Sequence, residues 1–422
     1  MKKVVFGLIL LMVLSCCGGA PSLAADAPES AKRLPNPQDL YDWLLAKQGP
    51  HGILGNQENE DFSGVYTNAL AAICYIHEGD LARAQSIFSF FQSRLDVAIA
   101  PPGGFPQFWD AATGQPDLDT DRWIGDNAWL LIALNHYLYA TRDHTFDETR
   151  RTVAEWLISL QDADGGILAG YNTAGLMNWK STEGNLDCYA ALIDYPEERE
   201  SLRQFLVNEM WIPAEGRFKM GSTVDESSLD SCSFGVGALG TDFAAALQYA
   251  ETAMLRQEVC DATGALVTGF SDFISDDRIW LEGTGQMVVA YRVAQQDDTA
   301  LLYLGELSKA VFASTLFPDT KGLACHTNDP AWPTGSTTIF VPSQAWYLFG
   351  AWDFNPMAYD YPQAVDFNPD GKIDFKDYSR LVHFWNEDEA SCPIAPLPVP
   401  DGQINAKDLE ALAKYWLTDK NQ

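Results

Sequence analysis

The sequence predicts an all-α fold, an (α/α)6 barrel of six helical hairpins followed by a small calcium-binding α module, and three observations carry that prediction. Nearly all-apolar helical segments alternate with amphipathic ones, six of each. The apolar segments recur at intervals of 46 to 62 residues, and after Tyr359 the composition changes to a calcium-loop pattern. Strand-like alternation is sparse between the Gly-, Pro- and Asp-containing loops. The 422 residues leave room for one large domain and a small module, and 47% hydrophobic content excludes general disorder.

The first element lies outside the fold. "MKKVVFGLILLMVLSCCGGAPSLAADAPES" has two lysines, an apolar run from Val4 to Leu14 and then small residues, the layout of a secretory signal peptide over residues 1–25. "SLA" before Ala25 suits signal peptidase and release; "VLSC" ending at Cys16 is an imperfect lipobox that would leave a lipid anchor instead. The expected location is secreted or extracytoplasmic, with no membrane span. Cys74, Cys188, Cys232, Cys260, Cys325 and Cys392 are scattered without metal-type spacing. The formal charge of −31 repels phosphate backbones and anionic lipid, which argues against nucleic acid and membrane-surface partners.

The hairpins follow over residues 36–357. The least amphipathic segments begin near Ser63, Trp123, Thr182, Ser228, Trp280 and Pro342. Between them lie amphipathic segments such as "DLARAQSIFSFFQSRL", "FDETRRTVAEWLISLQ", "EERESLRQFLVNEM", "DFAAALQYAETAMLRQ" and "DTALLYLGELSKAVFAS", and "PQDLYDWLLAKQ" from Pro37 completes the set. Six buried and six half-exposed helices in alternation suggest an inner ring wrapped by an outer one. An open solenoid of similar hairpins is the alternative.

In an alternating toroid all inner helices run the same way, so their first turns meet at one end. Asp126, Glu183, Asp187, Asp230 and Glu282 sit at those turns, with Asn127, Asn185 and Gln286 beside them. Trp123, Trp129, Trp179, Trp280, Trp332 and Trp346 crowd the same places. An apolar cleft with a few polar groups suits a ligand, and flat rings beside carboxylates suit a sugar. Each acid taken alone also reads as a helix cap stabilised by the dipole.

"RWIGDNAWLLIAL", "STEGNLDCYAAL", "IWLEGTGQMVVAYRVA" and "FVPSQAWYLFGAWDFNPM" resemble the recurrent motifs of secreted bacterial six-hairpin glycosidase-like proteins. The resemblance specifies a fold better than a reaction. Glycoside hydrolysis needs one protonated carboxylic acid and one ionised carboxylate, and Asp126 and Glu282, both set beside tryptophans, are the expected pair, with Glu183 and Asp187 next and Asp230 a further candidate. The expected ligand is a poly- or oligosaccharide, with no cofactor expected in the barrel. A polysaccharide lyase using His136, Tyr189, His326 or Asn185 and a non-catalytic glycan-binding toroid are the alternatives.

The tail, residues 362–419, carries "DFNPDGKIDFKD". Asp366, Asn368, Asp370, Lys372, Asp374 and Asp377 fall at positions 1, 3, 5, 7, 9 and 12 of a calcium loop, with Gly371 at the sharp turn and Lys372 offering its backbone carbonyl. "DGKIDFKDYSRLVHFWN" aligns with "DGQINAKDLEALAKYWL" at an offset of 31 residues. Two such loop–helix repeats resemble a type I dockerin, which implies Ca2+ as cofactor and a cohesin-type partner. In the second copy Leu397 and Val399 replace oxygen ligands and only Asp401, Asn405 and Asp408 remain, so one strong site is expected.

Overall fold

A computed structural model describes residues 34–328, 335–368, 372–387 and 403–416 of the protein. The signal-peptide assignment with Cys16, and the site candidates Trp332, Asp370 and Asp401, lie outside the described residues.

Six helices form the interior: α2 (Val65–His77), α5 (Ile124–Thr141), α7 (Thr182–Ala191), α9 (Leu229–Leu239), α11 (Leu281–Val293) and α13 (Val341–Ala351). Their apolar runs are long because nearly every side is covered: in α5 all residues from Ile124 to Tyr139 are buried. Each packs on the next in chain order, and α13 packs back on α2. The amphipathic helices cover them. These are α1 (Pro37–Lys47) on α13, α3 (Leu81–Gln92) on α2, α6 (Asp147–Ser159) on α5, α8 (Pro196–Phe205) on α7, α10 (Ala245–Ala253) on α9 and α12 (Asp297–Ser308) on α11. The first described helix thus covers the last interior one. A short helix, α4 (Leu95–Ile99), follows α3.

A polar side chain in the second turn of five interior helices holds the loop before it. Asn127 accepts from Phe105 N at 2.8 Å and donates to Phe105 O and Trp123 O, both at 3.0 Å. Asn185 does the same with Ile167 and Ser181, and Asn68 with Leu54 and Gly64. Thr284 ties Phe270 to Trp280, and Gln344 ties Leu323 to Phe340. Each clamp satisfies loop amide or carbonyl groups that burial would otherwise leave unpaired. Close approach of the interior helices depends on glycine: a Cβ at Gly184 would lie 2.8 Å from Ile124 Cγ1 of α5, and one at Gly283 would lie 2.7 Å from Leu229 Cδ2 of α9.

Two amphipathic segments are shorter than their sequence suggests. The stretch ending at Gln257 leaves the helix at Ala253, and Leu255–Val259 pairs antiparallel with Leu266–Phe270. Gly264, at φ +70°, closes the turn, and the β-branched Val259, Val267 and Thr268 favour the extended form. Likewise Phe312–Ala313 beyond α12 is a strand paired with Lys321–Gly322. Further short pairs, such as Phe62–Gly64 with Phe108–Asp110, lie in loops that precede interior helices.

The tail has its own small core of Val365, Phe367, Ile373, Leu381, Ile404 and Leu412, whereas Tyr359 and Tyr361 pack with the large core. Its helices α14 (Phe375–His383) and α15 (Ala406–Lys414) each open with a reciprocal capping box, Asp374 with Asp377 and Asn405 with Asp408. Asp360 accepts from Tyr415 Oη at 2.7 Å and pairs with Lys414, tying α15 to the end of the large domain. Among the described residues no helix is long and apolar enough to cross a membrane.

Candidate functional site

First turns of all six interior helices line one cavity of about 480 Å3. Its wall includes Tyr66 and Thr67 from α2, Gly125, Asp126 and Trp129 from α5, Glu183 and Asp187 from α7, Asp230 from α9, Glu282 and Gln286 from α11 and Pro342 from α13. Trp123 and Trp280, immediately before α5 and α11, and Phe340, just before α13, add aromatic surface, as do Phe62, Phe108 and Phe273.

Helical periodicity explains which residues face this space. Glu183 and Asp187, and Glu282 and Gln286, are four residues apart and share a face. Asn127 and Asn185 are turned away, being one residue past Asp126 and two past Glu183, and serve the loop clamps instead. The substrate-binding role expected for these two asparagines is therefore corrected. Trp346 is corrected as well: it is buried in the core against Trp129 and Phe234, and donates through Nε1 to Tyr66 Oη at 2.7 Å. Trp179 is half-buried and packs on Trp123, with ring centroids 5.3 Å apart, without joining the wall.

Apart from Asp230, which accepts from Ser231 N in its own first turn, the acids are not spent on capping. No side chain caps α5, α9 or α11, and in α7 the cap is Ser181, accepting from Gly184 N. Asp126 accepts from Tyr66 N at 3.2 Å and from Gln107 Nε2 at 3.0 Å, both outside its own helix. It is 5% exposed, and burial outweighs these donors, pushing its carboxyl up to about 7. Glu282, also 5% exposed, accepts from Tyr66 Oη at 2.7 Å. Its carboxyl is likewise pushed up to about 7 by burial, with the charge of Asp230 adding to the rise and donors on Tyr66, Gln286 and Trp280 opposing it.

Tyr66 is therefore the link between the two acids, its amide on Asp126 and its hydroxyl on Glu282, with Trp346 holding the hydroxyl from the other side. Burial, and then the charge of Glu282, hold its phenol well above the ordinary range, so it stays a donor.

The other carboxyls are raised too. Glu183 and Asp187 lie well above the ordinary value through burial and then repulsion from Asp230 and other acids. Asp230 is raised by burial against donors on Ser228, Ser231 N and Glu183. Asp272 is pushed up to about 8 by burial and by the charges of Asp230 and Glu282. Sequence reasoning missed Tyr66, Gln107 and Asp272. Tyr66 had a signal, since it is a polar-tipped residue in the first turn of an interior helix whose start carries no acid; Gln107 and Asp272 lie in loops without periodicity.

The residues named for the lyase alternative lie elsewhere. His136 is buried against Tyr361 Oη and Pro356 O, at 2.9 and 2.7 Å. Tyr189 stacks under Arg199, 4.2 Å away. His326 pairs through its backbone with Trp280 and is not on the cavity wall.

In the tail, Asp366 and Asp377 are buried, and Asp377 accepts from Asn368 N at 3.1 Å and Asp374 N at 2.9 Å. Burial, and then the charge of Asp366, raise the Asp377 carboxyl despite those bonds. A cation bound beside Asp377 would favour its ionised form, while among the described residues no three Asp, Glu, His or Cys side chains converge on one point. Lys372 points its side chain outward, Asp374 is half-buried, and Asp408 is buried and accepts from Asn405 N at 2.8 Å.

No protein-family profile matches the chain, and no curated protein matches it. Solved structures do share its fold. A glycosidase variant in complex with glucose aligns with TM-score 0.56 at 12% identity, over 75% of this chain and 95% of that one. A family 76 glycoside hydrolase from a bovine Bacteroides thetaiotaomicron strain aligns with TM-score 0.52 at 11% identity, over 77% and 78%. A sugar epimerase from a ruminal bacterium aligns with TM-score 0.51 at 14% identity, over 74% and 95%. The large domain thus has a glycosidase-like helical fold.

Proposed function

We propose that the chain is a secreted glycoside hydrolase on an (α/α)6 barrel, with the shared cavity as its active site and Asp126 and Glu282 as the acid–base pair. The observation that carries the reading is this pair of buried carboxyls in one cavity, both raised to about 7 and bridged by Tyr66. Near neutral pH the commonest state of such a pair holds one proton between two carboxyls, which is what protonating a leaving oxygen and activating water together require. Trp123 and Trp280, both partly exposed on the wall, supply apolar faces for sugar rings. The glycosidase-like fold supports this reading by analogy, and the epimerase among its neighbours is a reminder that the fold hosts other sugar chemistry.

The lyase alternative is less well supported, because among the described residues no Lys, Arg or His lines the cavity to neutralise a uronate. A non-catalytic binding toroid gives no account of why two acids are held near neutrality. For the tail we propose a calcium-binding dockerin-like module that docks the enzyme to a cohesin-type partner. Asp366, Asn368, Asp370, Asp374 and Asp377 would hold the ion together with the Lys372 carbonyl, and the ion would supply positive charge that favours the ionised form of Asp377. The test is a panel of neutral and acidic glycans assayed for reducing ends and for the absorbance of unsaturated uronates. New reducing ends without that absorbance support hydrolysis; the absorbance supports a lyase, and neither signal leaves a binding module.

A further inference from the structure

The cavity wall carries one sign of charge. Beyond Asp126 and Glu282 it holds Glu60, Glu183, Asp187, Asp230 and Asp272, and none of its described lining residues is Lys, Arg or His. Protons are what keep such a cluster together when no counter-charge is at hand.

Asp187 differs from the rest. It is fully buried, and neither carboxylate oxygen has a hydrogen bond of full geometry, the Trp129 side chain approaching only as a loose donor. Gly125 keeps the space beside it open, since a Cβ there would lie 3.1 Å from Asp187 Oδ2. The raised Asp187 carboxyl keeps its proton while no counter-charge is at hand, and a cation arriving from the cavity side would displace that proton and use the otherwise idle acceptors of the ionised form.

We propose that the sugar taken by this cavity carries a free amine, an amino sugar whose ammonium pairs with Asp187. This deepens the glycosidase reading and rests on it. An ammonium brings three donors, no acceptor and the sign of charge the wall lacks. A sugar hydroxyl would satisfy Asp187 but leave the surrounding charge uncompensated, and a uronate would be repelled. A metal ion would need several carboxylates converging on one point, and among the described residues no three Asp, Glu, His or Cys side chains do so; an ammonium needs only one.

The test titrates the full chain, by calorimetry at low salt and mildly acidic pH, with a short oligomer of β-linked glucosamine and with its fully N-acetylated counterpart. Wild-type protein should bind the free-amine oligomer at least about tenfold more tightly, as one charge-assisted bond gained implies. Asp187→Asn should bring the two ligands to within about threefold. Equal or tighter wild-type binding of the N-acetylated oligomer overturns the proposal, whatever the variant does, and a preference unchanged in Asp187→Asn overturns the role of Asp187. Cleavage of neutral glycans with no amine preference would remove the amino sugar and leave the hydrolase. Amine-selective binding without cleavage of any glycan would uphold the cationic ligand and remove the hydrolase.

Discussion

Replacing Glu282 by glutamine separates a functional acid from a helix cap, because the two roles predict opposite signs. The side chain is 5% exposed and its carboxyl is raised from 4.5 to about 7, chiefly by burial. Below the unfolded value both the native and unfolded chains hold the proton, and the residue costs nothing. Between about 4.5 and 7 the unfolded chain releases the proton while the native one retains it, so stability falls as pH rises, and above 7 the loss is complete. At about 1.4 kcal/mol for each tenfold change in proton affinity the full loss is about 3 kcal/mol. Glutamine keeps the oxygen that accepts from Tyr66 Oη and carries no charge. Urea unfolding should therefore show Glu282→Gln equal to wild type near pH 4 and more stable by as much as about 3 kcal/mol near pH 8. A cap would behave otherwise: loss of a charge at the start of α11 would destabilise the protein near pH 8 by about 0.3–1 kcal/mol. A destabilised variant at alkaline pH would refute the reasoning.

Three further outcomes follow from the same geometry. Tyr66→Phe removes a donor to Glu282 and strands the Trp346 indole; it should cost about 1–3 kcal/mol of stability and move one limb of the pH–rate profile to higher pH, because the lost bond favours the ionised Glu282. Gly283→Ala places a methyl 2.1 Å from Trp280 Cε3 and 2.7 Å from Leu229 Cδ2, so thermal unfolding should report a loss of about 1–3 kcal/mol, and glycan cleavage should fall as Trp280 is displaced from the wall. In the tail, calorimetric titration of the full chain with calcium should find one strong site rather than two; Asp370→Ala should abolish it while glycan cleavage stays unchanged, and two equal tight sites would show the second loop to have been misread.

Much of the interior was legible because burial leaves a broad signature. The helix starts at Val65, Ile124, Thr182, Leu229, Leu281 and Val341 lie within two residues of the positions the apolar runs suggest, since a helix covered on all sides has almost no polar residue to blur its limits. The acids were legible for a related reason: a charged residue inside the first turn of such a run stands out. What the pattern did not give was direction. Asp126 and Asn127 are neighbours in sequence but about 100° apart around the helix, so one faces the cavity and the other clamps Phe105. Applying the four-residue rule to Glu183 and Asp187 would have separated them from Asn185. Gln107 and Asp272 join the site from loops, where no local period marks a contact, whereas Tyr66 sits in the first turn of α2. The hairpin from Leu255 to Phe270 was hidden because its first strand continues the amphipathic pattern of α10.

The central claim, that Asp126 and Glu282 cleave a glycosidic bond as an acid–base pair, meets its most direct test in the kcat/KM of Asp126→Asn and Glu282→Gln on a glycan that wild type cleaves, with folding followed in the same samples by circular dichroism. Each variant should keep its helical signal and lose activity by about a hundredfold or more, and the wild-type pH profile should be a bell centred near neutrality that loses a limb in each variant. Full activity in either folded variant, or a loss that tracks unfolding alone, would contradict the account.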